Sequence, residues 1–454
     1  MSTNRTAERV RSFGTSIFAE ISALAVQHGA VNLGQGFPDF AGPEWVKSAA
    51  AEAIAADQNQ YPPYLGLPRL REAIAAAWRA SGWREVDPAS EVTVTSGATE
   101  AIFGAVQALI NPGDEVIVFE PFYDAYVPDV VMAGGVPRYV RLHPPLKDEG
   151  RRMEDEAPRS DNSAGSSSFI PHPSSLTWHF DLAELAAAFS PRTRLLLLNT
   201  PHNPTGKVFS PEELAQIAAL CIAHDVVVIA DEVYEHLVFG GAAHTPIATL
   251  PGMWERTLTV NSTGKTFSLT GWKIGYAVGP ADLTAALRAA HQWITFSTST
   301  PLQSAAAVAL EQAAARGYYA ELRAEYDERR ALLVDVLRGA GLPTLPVEGS
   351  YFVMADISQA GFSSDADFCR WLTRDVGVAA IPPSAFYRHP QGGHPQGVPL
   401  RHPQGGALRH PQGVPLRHPQ GVPLLARFCF AKKLETLRAA ADRLATVGKG
   451  RGAS

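Results

Sequence analysis

The strongest constraint on this chain is a set of short apolar runs with no polar alternation. Arg194-Leu-Leu-Leu-Leu198 and Val226-Val-Val-Ile-Ala230 are the clearest, and Glu115-Val-Ile-Val-Phe119 is a third. Runs this short, bounded by turn residues, read as strands, and without alternation they must be buried on both faces. Helical patterns separate them. The arrangement that satisfies both is an α/β fold with a mostly parallel sheet between helices. Seven strands are expected, at 92–95, 115–119, 136–141, 194–198, 226–230, 256–260 and 274–278.

Helices are expected at 17–28, 43–56, 68–81, 97–110 and 211–224, with one long helix at 300–337. Beyond it the texture changes to shorter strands at 351–355 and 426–430 and helices opening at Asp365 and Lys433. The expected division is a large domain, 46–298, and a smaller α+β domain, 299–454, joined by the N-terminal arm, 1–45.

Two segments do not suit a packed domain. Residues 144–178 are rich in charge, Ser and Pro and read as a disordered insertion. Residues 388–424 repeat Arg-His-Pro-Gln-Gly-Val-Pro-Leu with a period of eight. His389, His394, His402, His410 and His418 invite a metal site. Pro with Gly in every unit instead predicts an extended, solvated linker, disordered to about Leu424, and no metal is assigned.

The formal charge of -6 leaves no basic footprint for nucleic acid. No apolar run approaches a membrane span. The N-terminus is polar and lacks a signal-peptide core. Cys221, Cys369 and Cys429 are too few and too scattered for a disulfide framework or a zinc site. The expected address is the cytoplasm.

Chemistry enters through lysine. The chain holds eight lysines against thirty-one arginines, yet two lie in Asn261-Ser-Thr-Gly-Lys265-Thr-Phe-Ser-Leu-Thr-Gly-Trp-Lys273. An amine can lose its proton and attack a carbonyl, whereas a guanidinium stays charged. A P-loop is excluded, since Thr259 stands where its first glycine is required.

Ligands of open α/β sheets bind beyond the carboxyl ends of the strands. Those ends carry Ser96-Gly97-Ala98-Thr99 at a helix start, then Tyr123, Asn203, Asp231 with Tyr234, and finally Ser262, Lys265 and Lys273. These are a phosphate cradle, a stacking ring, amide and phenol donors, a carboxylate for a buried cation and a nucleophilic lysine. Pyridoxal phosphate is the cofactor that needs this set.

Here the chain resembles the class I/II aminotransferases of the fold-type-I pyridoxal-phosphate enzymes. The kynurenine–glutamine and methionine branch, which includes cysteine-conjugate β-lyases, is nearest. The motifs are Val31-Asn-Leu-Gly-Gln-Gly-Phe-Pro-Asp-Phe40, Thr95-Ser-Gly-Ala-Thr-Glu-Ala101, Asn199-Thr-Pro-His-Asn-Pro-Thr-Gly206, Asp231-Glu-Val-Tyr234, Ser262-Thr-Gly-Lys-Thr-Phe-Ser268 and Arg427-Phe-Cys-Phe-Ala-Lys432. The resemblance implies that Lys265 forms the Schiff base and shuttles the proton. It implies that Asp231 binds the ring nitrogen, Asn203 and Tyr234 the ring hydroxyl, and that Tyr123 stacks on the ring. Gly97, Ala98, Thr99, Ser262 and Lys273 would hold the phosphate, with Tyr61 reaching in from the second subunit of a homodimer. Arg427, aided by backbone near Gly36, would clamp the substrate carboxylate. Phe18 and Phe296 map to the substrate pocket.

The implied reaction is transamination between an amino acid and a 2-oxo acid. Cysteine-conjugate or cystathionine β-lysis uses the same residues. A cofactor-sensing regulator would need a DNA-binding domain ahead of these motifs, and they begin near Val31. A non-catalytic scaffold would not need competent residues at every mapped position. The chain departs from the family in its two insertions, and the repeat runs directly into the Arg427 strand.

Overall fold

The computed structural model describes residues 5–145, apart from 12, 14 and 15, then 177–388 and 418–449. Val31–Asn32 forms a short strand, β1. The large sheet is built from Val92–Ser96 (β2), Glu115–Glu120 (β3), Val136–His143 (β4), His179–Phe180 (β5), Thr193–Asn199 (β6), Val227–Asp231 (β7), Thr257–Ser262 (β8) and Ile274–Val278 (β9). Their spatial order is β2-β9-β8-β7-β6-β3-β4-β5. The pairs from β8 through β4 are parallel, while β9 is antiparallel to both neighbours. The seven expected strands are all present. The eighth, β5, is a two-residue strand antiparallel to β4 at the sheet edge.

The apolar runs are continuous because the sheet is covered on both sides. Leu196 and Leu198 pack into one core with Ile117, Phe119, Val228 and Ala230. Leu195 and Leu197 face the other core with Val116, Val118 and Ile229. Successive side chains point to opposite faces, so each run feeds both cores and has no position for a polar residue.

The small domain carries Phe352–Asp356 (β10), Val378–Ala379 (β11) and Leu425–Cys429 (β12). β10 pairs antiparallel with β12, and β1 pairs parallel with β11. The N-terminal arm thus joins the C-terminal part through a strand pair. The single helix expected at 300–337 is two, Thr300–Ala313 and Tyr318–Gly339. Gly317 breaks it with φ +71°, a conformation glycine reaches without strain.

Both expected insertions are narrower than the sequence suggests. Residues 146–176 lie outside the described residues, but Trp178 is core. The buried Lys207 ammonium donates 2.6 Å to the Trp178 carbonyl and 2.8 Å to Glu213 Oε2, which fixes the return of this segment. Lys207→Met should therefore lower stability by about 1–3 kcal/mol in urea unfolding, through the unsatisfied carbonyl, and leave cofactor content unchanged.

Of the repeat, 389–417 lie outside the described residues. Its last unit is folded, against the expectation of disorder to Leu424. His418 Nε2 donates 2.9 Å to the Val422 carbonyl, and Nδ1 lies 3.3 Å from Asp365 Oδ1. Val422 is buried, and Arg141 donates 3.0 Å to the Gly421 carbonyl. The buried Glu120 carboxylate accepts from Arg141 Nη2 and from the Arg388 N–H. Exit and return of the repeat are therefore clipped at neighbouring points before β12 begins.

Candidate active site

The C-terminal ends of β2, β3, β6, β7 and β8 converge on a cavity of about 360 Å³. From the large domain it is lined by Gly97, Ala98, Thr99, Tyr123, Asn203, Asp231, Tyr234, Ser262, Lys265 and Lys273. The small domain and its N-terminal arm add Phe18, Gly36, Phe352 and Arg427. Thirteen of the fifteen residues expected from sequence meet here. Tyr61 and Phe296 do not. They are 85% and 47% exposed and pack on each other with ring centroids 5.8 Å apart.

Lys265 lies in the single helical turn Thr263–Thr266 that follows β8. Ser262 Oγ caps that turn by accepting from the Gly264 N–H at 3.1 Å. The lysine is half-buried, with its amine turned into the protein. Nζ donates 2.9 Å to the Tyr351 hydroxyl and lies 5.7 Å from the centre of the Tyr234 ring. Desolvation lowers its pKa from the ordinary 10.5 to about 8, against the pull of Asp231. An amine held this way is a nucleophile and base near neutral pH.

Asp231 closes β7 and is buried. Its Oδ2 accepts from the Tyr126 hydroxyl at 2.6 Å and its Oδ1 from the Val233 N–H at 3.4 Å. Both donors are neutral, and desolvation raises the carboxyl to about 6. A cation arriving at this carboxylate would reverse that shift. Asn199 joins the neighbouring loop to the site: its Nδ2 donates 2.8 Å to the Asp231 carbonyl, and its Oδ1 accepts from the Asn203 N–H at 2.7 Å.

One end of the cavity is the turn from β2 into the helix Gly97–Leu109. Gly97 has φ +80°, and a Cβ there would stand 3.3 Å from Lys273 Nζ. Free N–H groups at a helix start, with a lysine amine beside them, form an anion cradle. Ser262 and Thr270 line the same wall.

Arg427, on β12, is buried. Nη1 donates 3.0 Å to Asn203 Oδ1 and Nη2 2.9 Å to the Gly34 carbonyl. Nε has no partner. The guanidinium carbon lies 4.1 Å from the centre of the Phe352 ring, 4.9 Å from Phe386 and 5.1 Å from Phe18. Desolvation lowers its pKa to about 10.

Three residues that complete the site were not singled out from sequence. Asn199 sits inside a quoted motif, four residues ahead of Asn203, and the spacing offered a signal. Tyr126 follows Tyr123 by three residues on the same segment, and the two rings meet edge to face at 5.5 Å. Tyr351 gave no local signal, since it reaches Lys265 from 86 residues away.

The site fits pyridoxal phosphate on its own geometry. Among the described residues Asp231 has no cationic hydrogen-bond donor and Arg427 Nε has no partner, and the Gly97 turn has space that a side chain would fill. Comparisons with known proteins agree. The family model for aminotransferase class I and II matches residues 29–393. The kynurenine–oxoglutarate transaminase of Dictyostelium discoideum is 42% identical over 404 residues, 85% of this chain and 89% of that one. The methionine aminotransferase of Escherichia coli K12 is 39% identical over 438 residues, 96% of this chain and 97% of that one. The solved structure of N-succinyldiaminopimelate aminotransferase from Mycobacterium tuberculosis superposes with a TM-score of 0.81 at 42% identity, covering 97% of this chain and all of that one. The matched region takes in every ligand-facing turn of the sheet from β2 to Lys273, and the chain belongs to the class I and II aminotransferases, pyridoxal-phosphate-dependent transaminases of fold type I in the kynurenine and methionine branch.

Proposed function

We propose that Lys265 carries the cofactor and moves the proton in transamination. The observation that carries this is the lysine amine, its pKa lowered to about 8 by desolvation, in a cavity that also presents the Asp231 carboxylate. When bound, the cofactor supplies an aldehyde for the amine and a protonated ring that accepts electrons from the substrate α-carbon. Asp231 would keep that ring protonated; Tyr126 holds its carboxylate, and Asn199 holds its main-chain carbonyl. Tyr123 stacks on the ring. Asn203 and Tyr234 address its hydroxyl. Gly97, Ala98, Thr99, Ser262 and Lys273 bind the phosphate, and Arg427 with the Gly36 loop takes the substrate carboxylate.

The side chain it accepts follows from what is left over. With Lys265 and Lys273 given to the cofactor, Arg427 is the remaining basic residue among the described lining residues, and Phe18, Phe37, Ile102 and Phe352 form apolar wall. This favours neutral, aromatic or sulfur-containing amino acids over diacids. It suits the kynurenine and methionine named for the relatives better than N-succinyldiaminopimelate.

Tyr61 and Phe296 serve the site of a second copy in a homodimer. Their exposure away from their own cavity supports this, as does Trp293, three residues before Phe296 and 83% exposed. Three buried free thiols, Cys221, Cys369 and Cys429, suit the cytoplasm.

The test is capture of the cofactor. Purified protein should be yellow, and borohydride should bleach the band and leave a pyridoxyl label on Lys265. In cofactor-free protein the capture rate should rise with pH through about 8, because the neutral amine is the attacking form. At pH 7 an amine with that value is neutral roughly 300-fold more often than one at the ordinary value. A label elsewhere, a midpoint near the ordinary lysine value, or no capture at all would overturn the assignment.

A further inference from the structure

Tyr351 is the one polar side chain that touches both Lys265 and the loop at Gly36 among the hydrogen bonds of the described residues. It directly precedes β10 and is fully buried. Its hydroxyl accepts from Lys265 Nζ at 2.9 Å and makes a short hydrogen bond to the Gly36 carbonyl. Its ring is fixed by Tyr234 at 4.9 Å and Phe352 at 4.8 Å, both edge to face.

The direction of these bonds is forced. A carbonyl oxygen only accepts, so the single phenolic hydrogen is committed to Gly36. What remains is lone pairs, one toward Lys265, which must donate, and one for the Tyr234 hydroxyl, which also hydrogen-bonds this oxygen. We infer that Tyr351 is a positioning residue for the catalytic base: by accepting one N–H it fixes the rotation of the Lys265 amine and leaves the nitrogen lone pair free toward the cavity. Burial pushes the phenol well above its ordinary value, so it stays protonated and the hydrogen stays on Gly36.

The consequence is a coupling. Gly36 lies on the loop assigned to the substrate carboxylate, and the base takes its proton from the carbon next to that carboxylate. One hydroxyl spans the two, so the base is aligned to the loop that places the substrate. A loss of this alignment is a loss of rate more than of binding, since Arg427 is untouched.

The inference rests on Lys265 being the cofactor lysine, and the experiment separates the two. Tyr351→Phe keeps the ring and removes both the acceptor for Lys265 and the donor to Gly36. Its kcat should fall about 10–100-fold while KM for the amino acid changes within about threefold. The pH midpoint of cofactor capture by the cofactor-free variant should move below the wild-type midpoint, because the ammonium loses an acceptor. The other groups that bear on Lys265, namely Asp231, Arg427, Lys273, Cys429 and the Tyr234 ring, are the same in both proteins. A merely structural tyrosine would act the other way: loosened packing admits water and raises the midpoint toward the ordinary lysine value. An unchanged or raised midpoint, or an unchanged kcat, overturns the inference. If Tyr351→Phe does not fold, 3,5-difluorotyrosine placed at 351 keeps the shape and weakens the acceptor, and it should move kcat and midpoint in the same directions by less. Wild-type protein that captures no pyridoxal phosphate would end this inference together with the assignment of Lys265. Capture by wild type with an unaltered variant would end this inference alone.

Discussion

Lys265→Ala should lower transamination by about 10⁴-fold or more in both half-reactions. On the proposed assignment two functions leave with one amine, the covalent hold on the cofactor and the proton transfer at the substrate α-carbon. No other basic group described in the cavity can replace it. Lys273 stands at the Gly97 turn, the phosphate end, and Arg427 is tied to Asn203 and Gly34. Lys265→Arg should fail nearly as badly, because a guanidinium does not become neutral in this range. Fold should survive in both, since the lysine contributes one hydrogen bond, to Tyr351, and no salt bridge among the described residues. Rates for each half-reaction, with circular dichroism as the fold control, check this. A variant within tenfold of wild type would mean that the base is another residue.

Much of this architecture was legible because its causes are local. Leu195 to Leu198 serve two cores at once, so a covered strand could be read from four residues. The ligand-facing positions follow from the rule that strands end at the site. The failures are long-range. The Thr300 helix breaks at Gly317 because glycine there takes φ +71°, and a glycine within a helical pattern does not announce which conformation it adopts. Trp178 stands at the end of a Ser- and Pro-rich stretch, and composition averaged over the stretch hides one residue that belongs to the core. His418 looks like the other repeat histidines. Only the fold brings Asp365 to it and Arg141 to Gly421. Tyr351 carries no motif, and its partners lie on two distant segments. The role of Arg427 came from resemblance, since an arginine on an alternating strand reads equally as surface. Its burial and its bond to Asn203 now supply a physical reason.

Arg427→Ala should raise KM for both amino acid and oxo acid by an amount equivalent to about 2–5 kcal/mol, while bound cofactor and its spectrum are kept. The argument begins with the state of the guanidinium. It is buried under Phe352, Phe386 and Phe18, with neutral acceptors at Nη1 and Nη2 and none at Nε. Desolvation accordingly lowers its pKa to about 10. The sign matters for stability. A base whose folded value lies below its unfolded value weakens the fold while it is charged, and that penalty is relieved only as pH rises through the folded value. At neutral pH the charge is therefore a cost to the fold and a resource for binding, because an arriving carboxylate supplies the missing counter-charge in a dry, planar fork. Arg427→Lys should not rescue binding, since a single ammonium cannot reproduce that fork. Arg427→Met should lose the substrate with little change in melting temperature, because relief of the buried charge offsets the two bonds lost at Asn203 and Gly34. Steady-state KM for both substrates and a thermal melt on the same preparations test the two halves together. An unchanged KM would place the carboxylate elsewhere, and a large fall in melting temperature with a raised KM would show that the arginine acts by holding β12 rather than by meeting the substrate.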